Sequence, residues 1–326
     1  MFYLYITLGI ILGLILIGFI LGALIHHKAF GKRWEPDGII KYYHPSEYEG
    51  LQASPIAIPT KKGILRGYIY SYKKIRYQGI CIFSHGMWGS HNAYIQEIEH
   101  LAKGGFQVLG FDYYGTELSD GKSILGLGNS ILSLDSAVSY IRRTYPDEKI
   151  YVMGHSWGGF AALSIAKYHP EIERIVAMAP FINIKSILKH MLPKLIYPIL
   201  PFILIIDAIY CGKKSFINAK KVVKNTKIPT LIIHSLDDNM IPYSISTEVL
   251  RNHVVNQKLV YHIVDGKNHN PDYTLEALAY TKCSLQEINS IMDEVERTER
   301  KRQLDYYKMG EIDEKVFNII LDFLKS

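Results

Sequence analysis

The chain has 326 residues, of which 48% are hydrophobic and 21% are charged, and its formal net charge is +6. This length and composition allow one large domain or two small ones with ample hydrophobic core. The cysteines Cys81, Cys211 and Cys283 are too few, and odd in number, which excludes a disulfide framework. The positive charge suits an anionic membrane surface and an ordinary solvated basic surface equally well.

The first segment is strongly apolar, with no charged side chain over residues 2–25. At ~1.5 Å per residue, such a helix would cross a hydrocarbon layer of ~30 Å. A cleaved signal peptide is the alternative, but no Lys or Arg precedes the run, which exceeds a signal core, and no clear A-x-A site follows. We therefore predict an uncleaved anchor over residues 1–27. Lys28, Lys32 and Arg33 follow it, so the positive-inside rule predicts that the part of the chain after the anchor is cytoplasmic.

A polar and aromatic linker is predicted over residues 28–53, and an alternation of strand and helix patterns follows it. Short apolar or alternating runs predict strands, at residues 54–59, 63–72, 79–84, 106–111, 149–153, 175–178, 230–234 and 259–264. Helical spacing occurs between them and after them, at residues 94–102, 130–143, 160–167, 244–251, 275–308 and 314–324. The alternation predicts one α/β domain over residues 54–326, with a mainly parallel sheet and helices on both faces.

Residues 181–227 interrupt the alternation of strands and helices and are rich in Ile, Leu and Pro. Residues 192–211 could be mistaken for a second membrane span. Lys194, Asp207 and the prolines at 193, 198 and 201 argue against that interpretation. We predict a helical lid over the active site, whose apolar surface would be covered by a substrate acyl chain, by the sheet domain or by lipid.

The strongest local pattern surrounds Ser156. A β-favouring run over residues 149–153 leads into the sequence GHSWGG at residues 154–159, and a helical run follows at once. Strand, G-x-S-x-G and helix form a nucleophile elbow. A turn this sharp strains the serine backbone, and side chains two residues away on either side would collide with neighbouring backbone. Glycine at 154 and 158 removes both collisions and leaves the Ser156 Oγ exposed.

A serine hydroxyl needs a base within hydrogen-bond reach and a carboxylate that orients that base. In a parallel α/β sheet these groups lie in loops after the strands. Asp237 and Asp238 follow one predicted strand, and His269 follows the next, which gives the order Ser, Asp, His. Residue chemistry alone does not decide between Asp237 and Asp238.

The chain contains 13 histidines, so a histidine in isolation indicates little. His269 stands out because it lies in a loop after the last long strand. His26 and His27 border the predicted anchor. The histidines that fall on helices or their ends, where surface roles are expected, are His100, His169, His190 and His253.

His85 and Gly86 end an early strand, where a backbone N–H could face the same pocket. Together with the N–H of Trp157, it would supply two donors to a developing oxyanion. An ordinary turn at the end of a strand is the alternative.

From about residue 54 onward the chain resembles an α/β-hydrolase of the monoglyceride-lipase-like and serine-aminopeptidase-like branch. The matching motifs are HGMWG at 85–89, FDYYG at 111–115, GHSWGG at 154–159, DNMIP at 238–242 and GKNH at 266–269. The resemblance implies Asp238 as the acid and the N–H groups of Met87 and Trp157 as oxyanion donors. The chain departs from the family pattern at residues 114–117, at Ser235 and at Asn268.

The sequence therefore predicts a membrane-anchored serine hydrolase that cleaves an acyl-lipid, monoacylglycerol or lysophospholipid-like ester. It would need no metal or organic cofactor, and no nucleic-acid partner is expected. A peptidase or amidase with the same Ser156, Asp238 and His269 is the first alternative. A non-catalytic membrane scaffold of the same fold is the second. Acyl length, head group and oligomeric state do not follow from the sequence.

Overall fold

The computed structural model describes residues 1–36, 44–73 and 75–326. Residues 37–43, within the predicted linker, lie outside this description. The strands are β1 (Leu51–Pro59), β2 (Ile64–Tyr72), β3 (Ile80–Ser84), β4 (Gln107–Phe111), β5 (Ile150–His155), β6 (Arg174–Met178), β7 (Thr230–Ser235) and β8 (Leu259–Val264). Each agrees with a predicted strand to within three residues.

These strands form an eight-stranded sheet in the order β1-β2-β4-β3-β5-β6-β7-β8. β1 and β2 pair antiparallel, as do β2 and β4, and every pairing from β4 through to β8 is parallel. The predicted fold class, α/β with a mainly parallel sheet, is confirmed. Because β3, β5, β6, β7 and β8 run in one direction, the loops that follow them open at the same edge of the sheet.

The helices are α1 (Phe2–Phe30), α2 (Ile95–Lys103), α3 (Asn129–Thr144), α4 (Trp157–Ile165), α5 (Ile184–Met191), α6 (Leu200–Cys211), α7 (Ala219–Asn225), α8 (Thr247–His253), α9 (Leu275–Ser290), α10 (Glu294–Arg302), α11 (Tyr306–Met309) and α12 (Glu314–Lys325). One core joins α3 and α4 to one sheet face, and a second joins α2 and α12 to the other. β3 shows why both faces are covered, since Ile80 and Ile82 enter the first core and Cys81 and Phe83 the second.

The N-terminal helix α1 extends three residues beyond the predicted anchor, and Phe30 at its end is buried. After it, the backbone of Trp34 pairs with Thr116 and the Arg33 guanidinium donates to main-chain carbonyls between Glu117 and Gly121. The chain between α1 and the sheet is therefore held against the domain at this point.

The segment between β6 and β7 contains α5, α6 and α7 and begins at the carboxyl end of β6, the edge at which β5 also ends. It is attached to α4 by a stacked ring pair, Phe160 and Phe181, whose centroids are 4.3 Å apart. Two helical stretches, Phe2–Phe30 and Lys194–Phe216, are long and apolar enough to cross a membrane by length and composition. The second of these includes α6.

Candidate active site

The turn between β5 and α4 has the strained geometry predicted for a nucleophile elbow. Ser156 has φ 57° and ψ −114°, in a region that non-glycine residues rarely occupy. A Cβ at Gly154 would collide with the backbone of Gly158, and one at Gly158 would collide with the carbonyl of Ser84. Both glycines are therefore required by close backbone approach. Ser156 lies at the start of α4, whose first residue is Trp157.

The loops after β7 and β8 bring Asp238 and His269 together. Nδ1 of His269 lies 2.9 Å from Oδ2 of Asp238, which also lies 3.2 Å from Nε2 of His234. Oδ1 of Asp238 accepts the main-chain N–H groups of Met240 at 2.9 Å and Ile241 at 2.8 Å. Burial acts to raise the pKa of Asp238, but the hydrogen bonds from His234 and His269 outweigh it and hold the pKa well below its usual range. Asp238 is thus an ionised carboxylate at neutral pH.

Asp237 has different surroundings from its neighbour. Its side chain is exposed, and its Oδ1 accepts the hydroxyl of Ser235 and, at 3.1 Å, the N–H of Asn268. Asn268 has φ 48°, a left-handed conformation that asparagine tolerates well. Ser235 and Asn268, where the sequence departs from the family pattern, therefore fit a well-formed loop after β8, which carries His269 and is called the histidine loop. Asp237 stabilises this loop through the main-chain N–H of Asn268.

The turn after β3 lies next to the elbow. A Cβ at Gly86 would lie 3.6 Å from the Cβ of Ser156, so Met87 follows a residue in direct proximity to the serine. His85 is buried, with Nδ1 2.7 Å from the Gly86 carbonyl and Nε2 3.2 Å from the N–H of Tyr113. The Tyr113 ring stacks on His85 and meets Trp157 edge to face. The buried ring of Tyr113 thus contacts both segments that are predicted to supply oxyanion donors, the turn that begins at His85 and the residue Trp157.

Tyr94 and His155, which sequence reasoning missed, connect this turn to the histidine loop. Nε2 of His155 faces the carbonyl of His269 at 2.8 Å, so it carries the proton and donates. Nδ1 of His155 then accepts the Tyr94 hydroxyl at 2.9 Å, and the same hydroxyl oxygen accepts the Gly86 N–H at 3.1 Å. Burial, reinforced by the proximity of His269, lowers the pKa of His155 to about 3, so this relay stays neutral near pH 7.

A buried acidic pair lies just beyond the histidine loop. Glu97 on α2 and Asp272 are each 1% exposed, and the hydroxyl of Tyr273 donates to Glu97 at 3.4 Å. Burial raises the pKa of Asp272 to about 6. Burial and the charge of Asp272 together raise the pKa of Glu97 well above its usual range.

Because the folded-state pKa of Asp272 exceeds its ordinary value, its stabilising contribution is present below about pH 4 and lost as the pH rises through 6. An Asp272→Asn variant has no such loss. We expect its free energy of unfolding, relative to the wild type, to rise by on the order of 2 kcal/mol between pH 4 and pH 7.5. Thermal unfolding of both proteins across this range measures the difference. The exposed Asp265→Asn variant, as control, should track the wild type, and an equal slope in both variants would contradict the prediction.

Within residues 1–36, 44–73 and 75–326, no group of three or more His, Cys, Asp or Glu side chains is placed to hold a metal ion. Among the described residues, His169, for which a surface role was expected, is instead buried, and so is His26 near the end of the predicted anchor. His169 binds Asp135 and Glu171 at 2.8 and 2.9 Å, and His26 packs against the segment between β6 and β7.

Known proteins match this chain in both sequence and fold. The family model for serine aminopeptidase S33 matches residues 76–205. The lysophosphatidylserine lipase ABHD12 of Xenopus tropicalis is 25% identical over 213 residues, covering 62% of this chain and 51% of that protein. The monoglyceride lipase of Mus musculus is 28% identical over 132 residues, covering 38% of this chain and 43% of that protein. The chain spans about half the length of the curated relatives it matches.

Solved structures agree on the fold. An esterase from Pyrococcus furiosus superimposes with a TM-score of 0.59 at 21% identity, covering 90% of this chain and 98% of that one. The ferulic-acid-bound Est1E from Butyrivibrio proteoclasticus gives a TM-score of 0.56 at 20% identity, covering 72% and 100%. Together with the sheet order and the elbow, these matches show the α/β-hydrolase fold, and in sequence the chain is similar to S33 serine aminopeptidases and monoglyceride lipases.

Proposed function

We propose that this chain is a membrane-anchored serine hydrolase that cleaves carboxylic esters of acyl lipids. The observation that carries the proposal is the strained Ser156 at the carboxyl end of β5, beside loops that bring together His269 and the ionised Asp238. The matched lipases support an ester of the monoacylglycerol or lysophospholipid type.

In the proposed reaction, Ser156 Oγ attacks the ester carbonyl and His269 accepts the hydroxyl proton. Asp238 accepts the Nδ1–H of His269, fixes its tautomer and stabilises the cation that forms. The N–H groups of Met87 and Trp157 stabilise the oxyanion. The protonated His269 donates to the departing alkoxide, which leaves an acyl-enzyme. Water, deprotonated by His269, then hydrolyses the acyl-enzyme and regenerates Ser156.

Exposed apolar side chains on the lid support a lipid substrate over a peptide. They lie on the same segment as α6, which packs against the N-terminal helix, and they are Met191, Leu195, Ile205, Ile209 and Phe216. A surface of this kind is unfavourable in water and favourable against acyl chains. We therefore place the lid of this hydrolase at the membrane surface.

A substrate panel tests the ester assignment against its alternatives. The purified full chain in detergent is assayed on p-nitrophenyl esters from acetate to palmitate, monoacylglycerol, lysophospholipid and aminoacyl amides. We expect turnover of the esters and acyl lipids to exceed amide turnover by at least 100-fold. Faster cleavage of the amides would favour a peptidase. Absence of turnover on every substrate would favour a non-catalytic scaffold.

For orientation, we propose that α1 spans the membrane and leaves the hydrolase domain in the cytoplasm, supported by Lys28, Lys32 and Arg33 after the span. Cys283 is an exposed native probe, whereas Cys81 and Cys211 are buried. A membrane-impermeant maleimide should label Cys283 only after cells are permeabilised, and a Cys283→Ser variant should stay unlabelled. Labelling of Cys283 in intact cells would contradict the cytoplasmic orientation.

A further inference from the structure

The N-terminal helix is docked on the lid through one ridge of side chains. The buried residues of α1 recur at four-residue spacing, as Gly18, Gly22, His26 and Phe30. A Cβ at Gly18 or Gly22 would meet Phe202 of α6, so the two glycines permit close approach of the helices. The ring of Phe19 meets that of Phe202 edge to face, with centroids 4.9 Å apart. The C-terminal half of α1 therefore packs with α6 as one unit.

Asp207 is an acidic residue on the otherwise apolar helix α6, and it is 2% exposed. A buried carboxylate is costly unless it is paired and hydrogen-bonded. Its Oδ2 accepts the main-chain N–H of Leu127 at 2.6 Å, and its Oδ1 accepts that of Gly128 at 3.2 Å and the hydroxyl of Ser215. Nε2 of His26 lies 3.7 Å from Oδ2. Asp207 thus joins α1, the lid and the loop that precedes α3.

The loop that receives this carboxylate is shaped for it. Gly126 has φ 151°, and a Cβ there would collide with the Asp207 carboxylate. A Cβ at Gly128 would meet Cys211, Ser215 and Asp207. The sequence Gly126-Leu127-Gly128 therefore allows the lid carboxylate to reach two backbone donors at the start of α3.

The same loop also holds the residue that follows the nucleophile. The carbonyl of Leu127 accepts the indole N–H of Trp157 at 2.7 Å, and Trp157 is 1% exposed. The main-chain N–H of Trp157 is one of the two proposed oxyanion donors. A continuous set of contacts thus runs from the lid carboxylate through Leu127 to the oxyanion donor.

We propose that Asp207 is a positioning residue, which aligns the main-chain N–H of Trp157 only when the lid is seated on the loop before α3. This inference rests on the proposed function. It makes the docked lid a requirement for efficient catalysis even on a substrate too small to contact the lid. Loss of Asp207 should then reduce the rate of acylation more than the binding of a short ester.

The test uses the full chain in detergent with p-nitrophenyl acetate. We expect Asp207→Ala to lower kcat by about 10-fold, less than the 10²- to 10³-fold cost of losing one oxyanion donor outright, with KM changed less than about twofold. Asp135→Ala is the matched control, because Asp135 also holds the lid, through Lys214 at 2.9 Å. Equal effects of the two variants on kcat, or an effect of Asp207→Ala on KM alone, would overturn the proposal.

If Asp207→Ala fails to fold, two conservative variants and their combination test the same proposal. Asp207→Asn keeps the side-chain volume, and Trp157→Phe keeps the main-chain N–H while removing the indole bond to Leu127. If Asp207 acts through Trp157, the double variant should lose no more activity than the more severe single variant. Multiplicative losses, or Asp207→Asn activity equal to the wild type, would overturn the inference. If the wild type hydrolyses no ester, or Ser156→Ala stays active, the proposed function itself fails.

Discussion

An Asp238→Asn variant is expected to lose about 10³- to 10⁴-fold in kcat on a soluble ester, because an amide cannot hold the tautomer of His269 that a carboxylate holds. The wild-type Asp238 Oδ2 lies 2.9 Å from Nδ1 of His269, and the carboxylate also accepts two main-chain N–H groups. Asparagine preserves the side-chain shape, so the fold should persist. Steady-state kinetics at pH 7.5, with circular dichroism as a check on folding, measures the effect.

Asp237→Asn is the matched control, one residue away in the same loop. Asp237 is exposed, and it accepts hydrogen bonds from the Ser235 hydroxyl and the main-chain N–H of Asn268 rather than from His269. An asparagine oxygen can still accept both hydrogen bonds, so we expect kcat within about threefold of the wild type. A larger loss in Asp237→Asn than in Asp238→Asn would reverse the assignment of the acid.

Elements with a strong local pattern could be predicted from the sequence. The buried strands are continuous apolar runs, which predict strands covered on both faces. The two glycines around Ser156 predict a sharp turn, and the structure shows that close backbone approach requires both of them. The family resemblance selected Asp238, whereas residue chemistry left two aspartates equal. In the structure Asp238 is buried against His269 whereas Asp237 is exposed, and this difference depends on the pairing of β7 with β8, which brings the loops after them side by side.

Contacts between distant segments could not be predicted in this way. In the sequence His155 is only one position of the GHSWGG motif, yet its hydrogen bond to the His269 carbonyl joins residues 114 positions apart. In the sequence, His26 only borders the predicted anchor, and Asp207 only argues against a second membrane span. Their proximity depends on the docking of α1 on α6, for which the glycines at 18 and 22 were the available signal.

The central claim is that Ser156 is the nucleophile, and removing its hydroxyl should have the largest effect of any single change. Loss of a nucleophilic serine costs about 10⁵-fold or more in kcat, since the histidine and the oxyanion donors cannot form an acyl-enzyme alone. Alanine at position 156 removes one atom from a turn whose conformation is set by its glycine neighbours. We therefore expect the folded structure to be retained.

Labelling with a fluorophosphonate probe tests this claim most directly. Ser164→Ala is the matched control, because Ser164 is a buried serine on the same helix, and its Oγ has no hydrogen-bond partner among the described residues. The wild type and Ser164→Ala should each incorporate one probe, with the modified peptide containing Ser156, while Ser156→Ala should incorporate none. Undiminished labelling of a folded Ser156→Ala protein would contradict the assignment of Ser156 as the nucleophile.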